Sequence, residues 1–104
     1  MIVVTTAEVH GRKVKNTLGL VYGSAVRGVH LGEDIIAEMK NKIGGEIEEY
    51  TRLLAAAREQ SLDRMIAQAE ELNADAVIGF RFATCEIASH AAELIAYGTA
   101  VTLE

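Results

Sequence analysis

From about Glu46 to Leu72 the chain runs about 27 residues without glycine or proline, the two residues that most readily interrupt a helix. At about 1.5 Å per residue, an unbroken helix over that run reaches about 40 Å. A solitary globule of this length has a radius of gyration of about 13 Å, and so a diameter of about 33 Å. The helix is as long as the domain meant to bury it. Ile47, Tyr50, Leu54, Ala57, Leu62, Met65, Ala69 and Leu72 trace one stripe along it, with Glu48, Glu49, Arg52, Glu59, Arg64 and Glu71 on the opposite, solvated face. A stripe of that length needs cover from a neighbouring subunit, so the sequence predicts self-association.

The rest of the chain sets bounds on what that association serves. A length of 104 residues predicts one domain, residues 1–104. Half the residues are hydrophobic but only 5% are aromatic, so the core is built from Ala, Val, Ile and Leu. A formal net charge of −5, with no offsetting basic cluster, repels phosphate backbones and argues against nucleic acid as a partner. Cys85 is the only cysteine, which excludes an intrachain disulfide and fits a reducing compartment. No run of about 18 apolar residues predicts a membrane span, and the opening Met1-Ile2-Val3-Val4-Thr5-Thr6 lacks a secretory pattern. The expectation is a soluble cytoplasmic protein.

Elements follow from the patterning. Ile2 to Thr6 is β-branched and reads as a strand. Leu18 to Val29 reads as a second, with Leu18, Leu20, Tyr22 and Val26 on one face and Gly19, Val21, Gly23 and Ala25 on the other. Its glycines have two readings, a bulge or close approach by another backbone. Glu33 and Asp34 open a short helix carrying Ile35, Ile36, Met39 and Ile43, ended by Gly44-Gly45. After the long helix, Asn73 stands where a left-handed residue ends it. Ala74 to Ala88 is a strand in which Ile78, Phe80 and Phe82 alternate with Val77, Gly79, Arg81, Ala83 and Cys85. Ser89 to Ala92 connects it to a last strand, Leu94 to Leu103, pairing as an antiparallel hairpin. The order β-β-α-α-β-β predicts an α+β, two-layer domain with an antiparallel sheet, one short and one long helix. Each long strand has one bulky and one small face, and neither face is polar. A sheet apolar on both sides needs a second cover.

The ordered set Leu18-Gly19-x-Val21-x-Gly23, Gly28, Asp34, Gly44-Gly45, Tyr50, Ala57-Arg58, Met65, Ala74-Asp75-Ala76-Val77-x-Gly79 and Gly98-Thr99-Ala100-Val101 resembles the YbjQ-like family. These are small bacterial and archaeal proteins labelled heavy-metal-binding. The resemblance spans nearly the whole chain. It implies a dodecin-like β-α-β-β core with additional strands, and a homopentamer around a central axis. The chain departs from the family at Asn73, where glycine is usual, and at Arg81 and Cys85, where acids are frequent. The resemblance carries no catalytic set.

Candidate chemistry is sparse. Cys85 and His90, with Glu86, form the nearest thing to a soft-metal site for zinc or copper, although zinc normally takes three or four protein ligands and no CxxC or HxxxH spacing supplies them. The plainer reading makes Cys85 a small buried hydrophobe and His90 an exposed hairpin residue. His30 with Glu33 and Asp34 has a metal or general-base reading, against a plainer one as a helix start. His10 beside Glu8 is weaker. Arg27 and Arg81, both assigned to small strand faces, are the candidates for gripping a carboxylate or phosphate between subunits, or else for an intersubunit salt bridge. Arg58 reads as one half of a helix-surface ion pair. Gly23-Ser24 and Gly44-Gly45 lack the spacing of a phosphate loop, and Ser24 has no neighbouring His and acid in sequence.

Three readings result. The first is a non-enzymatic homo-oligomer, a pentamer, binding a soft divalent metal or small ligand at subunit interfaces. The second is a dodecin-type module holding a planar cofactor between subunits. The third is an enzyme whose site forms when Arg27, Arg81, His30 and acids converge across an interface.

Overall fold

The structure, a computed structural model, describes residues 1–28, 48–88 and 91–104. The elements in chain order are β1 (Ile2–Val3), β2 (Val14–Gly28), α1 (Glu48–Glu71), β3 (Ala76–Ala88) and β4 (Ala91–Leu103). The expected short helix, with Glu33, Asp34 and Gly44-Gly45, lies outside the described residues.

The strands form one sheet in the order β1-β3-β4-β2. β3 and β4 pair as the expected antiparallel hairpin, and β2 pairs antiparallel with β4. β1, however, runs parallel to β3, with Ile2 opposite Ala76 and Val3 opposite Val77. The sheet is therefore mixed rather than antiparallel throughout. The first strand is also shorter than predicted, although the Val4 N–H and the Val4 and Thr6 carbonyls continue its pairing up to Phe80.

α1 lies on the small face of the sheet. Ala57, Ser61, Met65 and Ala69 are buried on it at every fourth position, against Val21, Ala25, Leu94, Ala96 and Ala100. Ser61 breaks the apolar pattern, and its Oγ donates back to the Arg58 carbonyl at 2.9 Å, which satisfies the buried hydroxyl. Both readings of the β2 glycines are realised, at different positions. Gly19 has φ of 120° and sits at a register shift, a bulge. At Gly23 the helix backbone comes so close that a Cβ would stand 2.1 Å from the Ser61 carbonyl oxygen.

A second register shift, at Gly79 with φ of 62°, corrects the predicted faces of β3. One extra residue flips every side chain beyond it. Val77 pairs with Ala100 and Phe82 with Ala96, so both face the helix. Arg81, opposite Tyr97, lies on the other face, not on the small one.

The helix ends as the sequence predicts. Asn73 has φ of 57°, its N–H donates to the Glu70 carbonyl at 2.9 Å, and that of Ala74 to Ala69 at 3.1 Å. These two bonds make a Schellman motif.

Among the described residues, the sheet's other face is covered only at its base. There Val9 and Val14 pack on Ala76, Ile78, Val101 and Leu103. Farther along, Leu20 is 67% exposed, Tyr22 53% and Val26 52%. The molecule is long, 55 × 24 × 17 Å, with a radius of gyration of 17.2 Å, against about 13 Å for a compact chain of this length.

Candidate functional site

The candidate residues fall on two faces of the sheet's outer half. On the uncovered face, β3 places Cys85 opposite Glu93 of β4. Glu93 Oε2 accepts a hydrogen bond from Ser24 Oγ at 2.9 Å, which fixes the carboxylate over the sheet. Cys85 is exposed, so the reading of it as a buried hydrophobe is overturned. The thiol lies on the face away from α1, and among the described residues nothing packs over it. Its Sγ donates to the Glu86 carbonyl at 3.7 Å.

Glu86 itself pairs across to Ala92. Consecutive strand residues point to opposite faces, so Cys85 and Glu86 do not converge within one protomer. His90 and His30 lie outside the described residues. A last strand begun at Leu94 leaves Glu93 outside it, whereas β4 begins at Ala91. A hairpin register run through a two-residue connection brings Glu93 opposite Cys85. Among the described residues no three His, Cys, Asp or Glu side chains gather closely enough to hold a metal ion.

The two arginines offered for anion binding are held apart. Arg27, on the helix face of β2 opposite Ala92, donates to Gln60 of α1. Arg81 donates to the Thr5 carbonyl at 2.8 Å and the Phe80 carbonyl at 2.7 Å, pinning the segment after β1 onto the sheet. Their partners on β4, Ala92 and Tyr97, are five residues apart, about 17 Å along a strand. Each arginine has a partner within the chain, and the two do not form one site in a protomer.

Between α1 and the outer half of β3 runs a groove of about 560 Å³, walled by Ala55, Leu62 and Phe82, with Arg52, Arg58 and Glu59 along its rim. Phe82 stands edge-on to Phe80, ring centroids 4.8 Å apart. On the opposite sheet face Tyr22 and Tyr97 are cross-strand partners, both exposed.

The family model described as "Putative heavy-metal-binding" matches residues 1–104. A UPF0145 protein of Thermotoga petrophila is 55% identical over 104 residues, covering 100% of this chain and 98% of that protein. One from Archaeoglobus fulgidus is 52% identical over 103 residues, covering 99% and 95%. The crystal structure of a protein of unknown function in the DUF74 family, from Pediococcus pentosaceus, aligns with a TM-score of 0.62 at 18% identity, over 100% of this chain and 98% of that one. That last likeness is one of fold. Matched from end to end, this chain belongs to the YbjQ-like family.

Proposed function

We propose that this protein is a non-catalytic cytoplasmic homo-oligomer, a pentamer by its family resemblance, that holds a soft divalent metal or small ligand where protomers meet. The observation that carries this reading is the uncovered outer half of the sheet. Leu20, Tyr22 and Val26 are each more than half exposed on one continuous strand face. Leaving the exposed part of such side chains in water forgoes about 1–2 kcal/mol apiece, and a second copy supplies the cover. The metal reading places Cys85 and Glu93 on that same face. One protomer offers a soft metal a thiolate and a carboxylate there, and symmetry around an axis multiplies both toward the four ligands that zinc takes.

The test is native mass spectrometry and elemental analysis of untagged protein. The expected result is an assembly with retained metal, lost in Cys85→Ser. Metal content unchanged in that variant removes the thiolate site. The Tyr22–Tyr97 pair favours a second reading, a dodecin-type module, because two exposed rings side by side offer a stacking surface for a planar cofactor. A visible absorbance band in the purified protein distinguishes it.

A further inference from the structure

The two long edges of the sheet are finished differently. β2 forms one edge, and the chain's own helix caps it. Gln68 Oε1 accepts the Tyr22 N–H at 2.7 Å, Arg64 Nη1 donates to the Ser24 carbonyl at 2.6 Å, and Arg27 donates to Gln60. Gln60, Arg64 and Gln68 recur every four residues, so a single flank of α1 lies along that edge. On the other edge the N-terminal segment covers β3 only as far as Phe80. Residues 81–88 are all exposed, and among the described residues only β4 pairs with their backbone.

The hydrogen-bond directions of this stretch follow from two independent observations. The Phe80 N–H donates to the Val4 carbonyl, away from β4, and alternation sends those of Phe82, Thr84 and Glu86 the same way. From the far side, the Tyr22 N–H is taken by Gln68, so Tyr97 opposite it bonds toward β3 and its partner Arg81. That again turns the next N–H, of Phe82, outward. Sheet edges are ordinarily protected by lysine, proline, a bulge or a covering element. Residues 81–88 contain neither lysine nor proline, and from Arg81 to Glu86, between the bulge at Gly79 and a second register shift before Ala88, the strand runs regularly.

The geometry points to Arg81–Ala88 as a strand-acceptor edge whose occupant is an extended segment of a second copy of this chain. The inference rests on the self-assembly reading above and adds an edge to the sheet face named there. The chain already uses the first half of β3 in this way, by laying its own residues 2–6 along it. The groove beside the second half has apolar walls for an added strand's side chains. Its rim carries Arg52, Arg58 and Glu59, polar groups at the height where an added strand's side chains would leave the groove. An odd-numbered ring requires a donor segment different from the acceptor, because a strand paired with its own copy across a two-fold axis closes a dimer.

Thr84→Pro tests this directly. It removes an N–H aimed away from β4 and leaves the β3–β4 ladder bonded. By sedimentation, wild type is expected at a multiple of 11.2 kDa, and Thr84→Pro at the single-chain mass with an unchanged circular dichroism spectrum. Wild type at single-chain mass overturns the self-assembly reading and this edge with it. An assembled wild type beside an equally assembled, folded variant overturns the edge alone. Where Thr84→Pro does not fold, amide exchange in wild type decides. The N–H groups of Phe82, Thr84 and Glu86 are expected to exchange more than about a hundredfold slower than unprotected amides, and exchange at the unprotected rate overturns the assignment.

Discussion

Gly23 and Ser61 meet backbone to backbone: a Cβ on the glycine would stand 2.1 Å from the serine carbonyl oxygen and 2.4 Å from the Met65 nitrogen. Neither obstacle is a side-chain end that can swing aside, so Gly23→Ala must push α1 off the sheet. The expected loss is about 1–3 kcal/mol of stability, the usual range for overpacking, read as a lowered denaturation midpoint. Gly28→Ala is the control. Among the described residues its Cβ would meet only the Ala91 Cβ, at 3.7 Å, and its midpoint should match wild type.

Asn73 holds the left-handed turn that ends α1. Asn73→Ala should cost about 1 kcal/mol, because a Cβ without a compensating polar group is strained there. Asn73→Gly should be neutral or stabilising by a few tenths, about 0.5 kcal/mol at most. Chemical denaturation of the pair checks the sign of each change.

Gln68 caps the β2 edge through the Tyr22 N–H. Gln68→Leu keeps the side chain's bulk and removes the acceptor. The expected effect is about 1 kcal/mol of lost stability and faster exchange of the Tyr22 amide, measured by hydrogen exchange. An unchanged Tyr22 amide would mean that the cap does not hold in solution.

Cys85 and Glu93 should act together on metal. Glu93→Gln keeps the shape and removes the charge, so retained metal should fall with it as it does in Cys85→Ser, by about tenfold or more in affinity for a lost ligand or its orienting partner. Ser24→Ala, which frees the carboxylate, should give a smaller reduction. Elemental analysis of the three variants orders them.

The layers of this fold were legible because patterning alone sorts strand faces. The bulky and small faces of β2 were separable in the sequence, and Asn73 marked where the helix stops, but which face α1 covers became plain only in the packing. What escaped depended on single-residue shifts. The bulge at Gly79 moved Arg81 to the opposite face, and no period-two reading of β3 locates such an insertion in advance. The parallel docking of β1 is a long-range pairing with no local signal. Cys85 could be flagged from its rarity, whereas its partner Glu93 required the register of the hairpin. The polar flank Gln60, Arg64 and Gln68 looked like an ordinary solvated helix face. Its role emerged only once the β2 edge lay beneath it.

Sedimentation equilibrium of untagged protein over a wide dilution range bears most directly on the whole account. Five chains together weigh about 56 kDa, five times the 11.2 kDa of one; that species, persisting on dilution, is the predicted result. A folded particle of 11.2 kDa, with Leu20, Tyr22 and Val26 left in water, would contradict it.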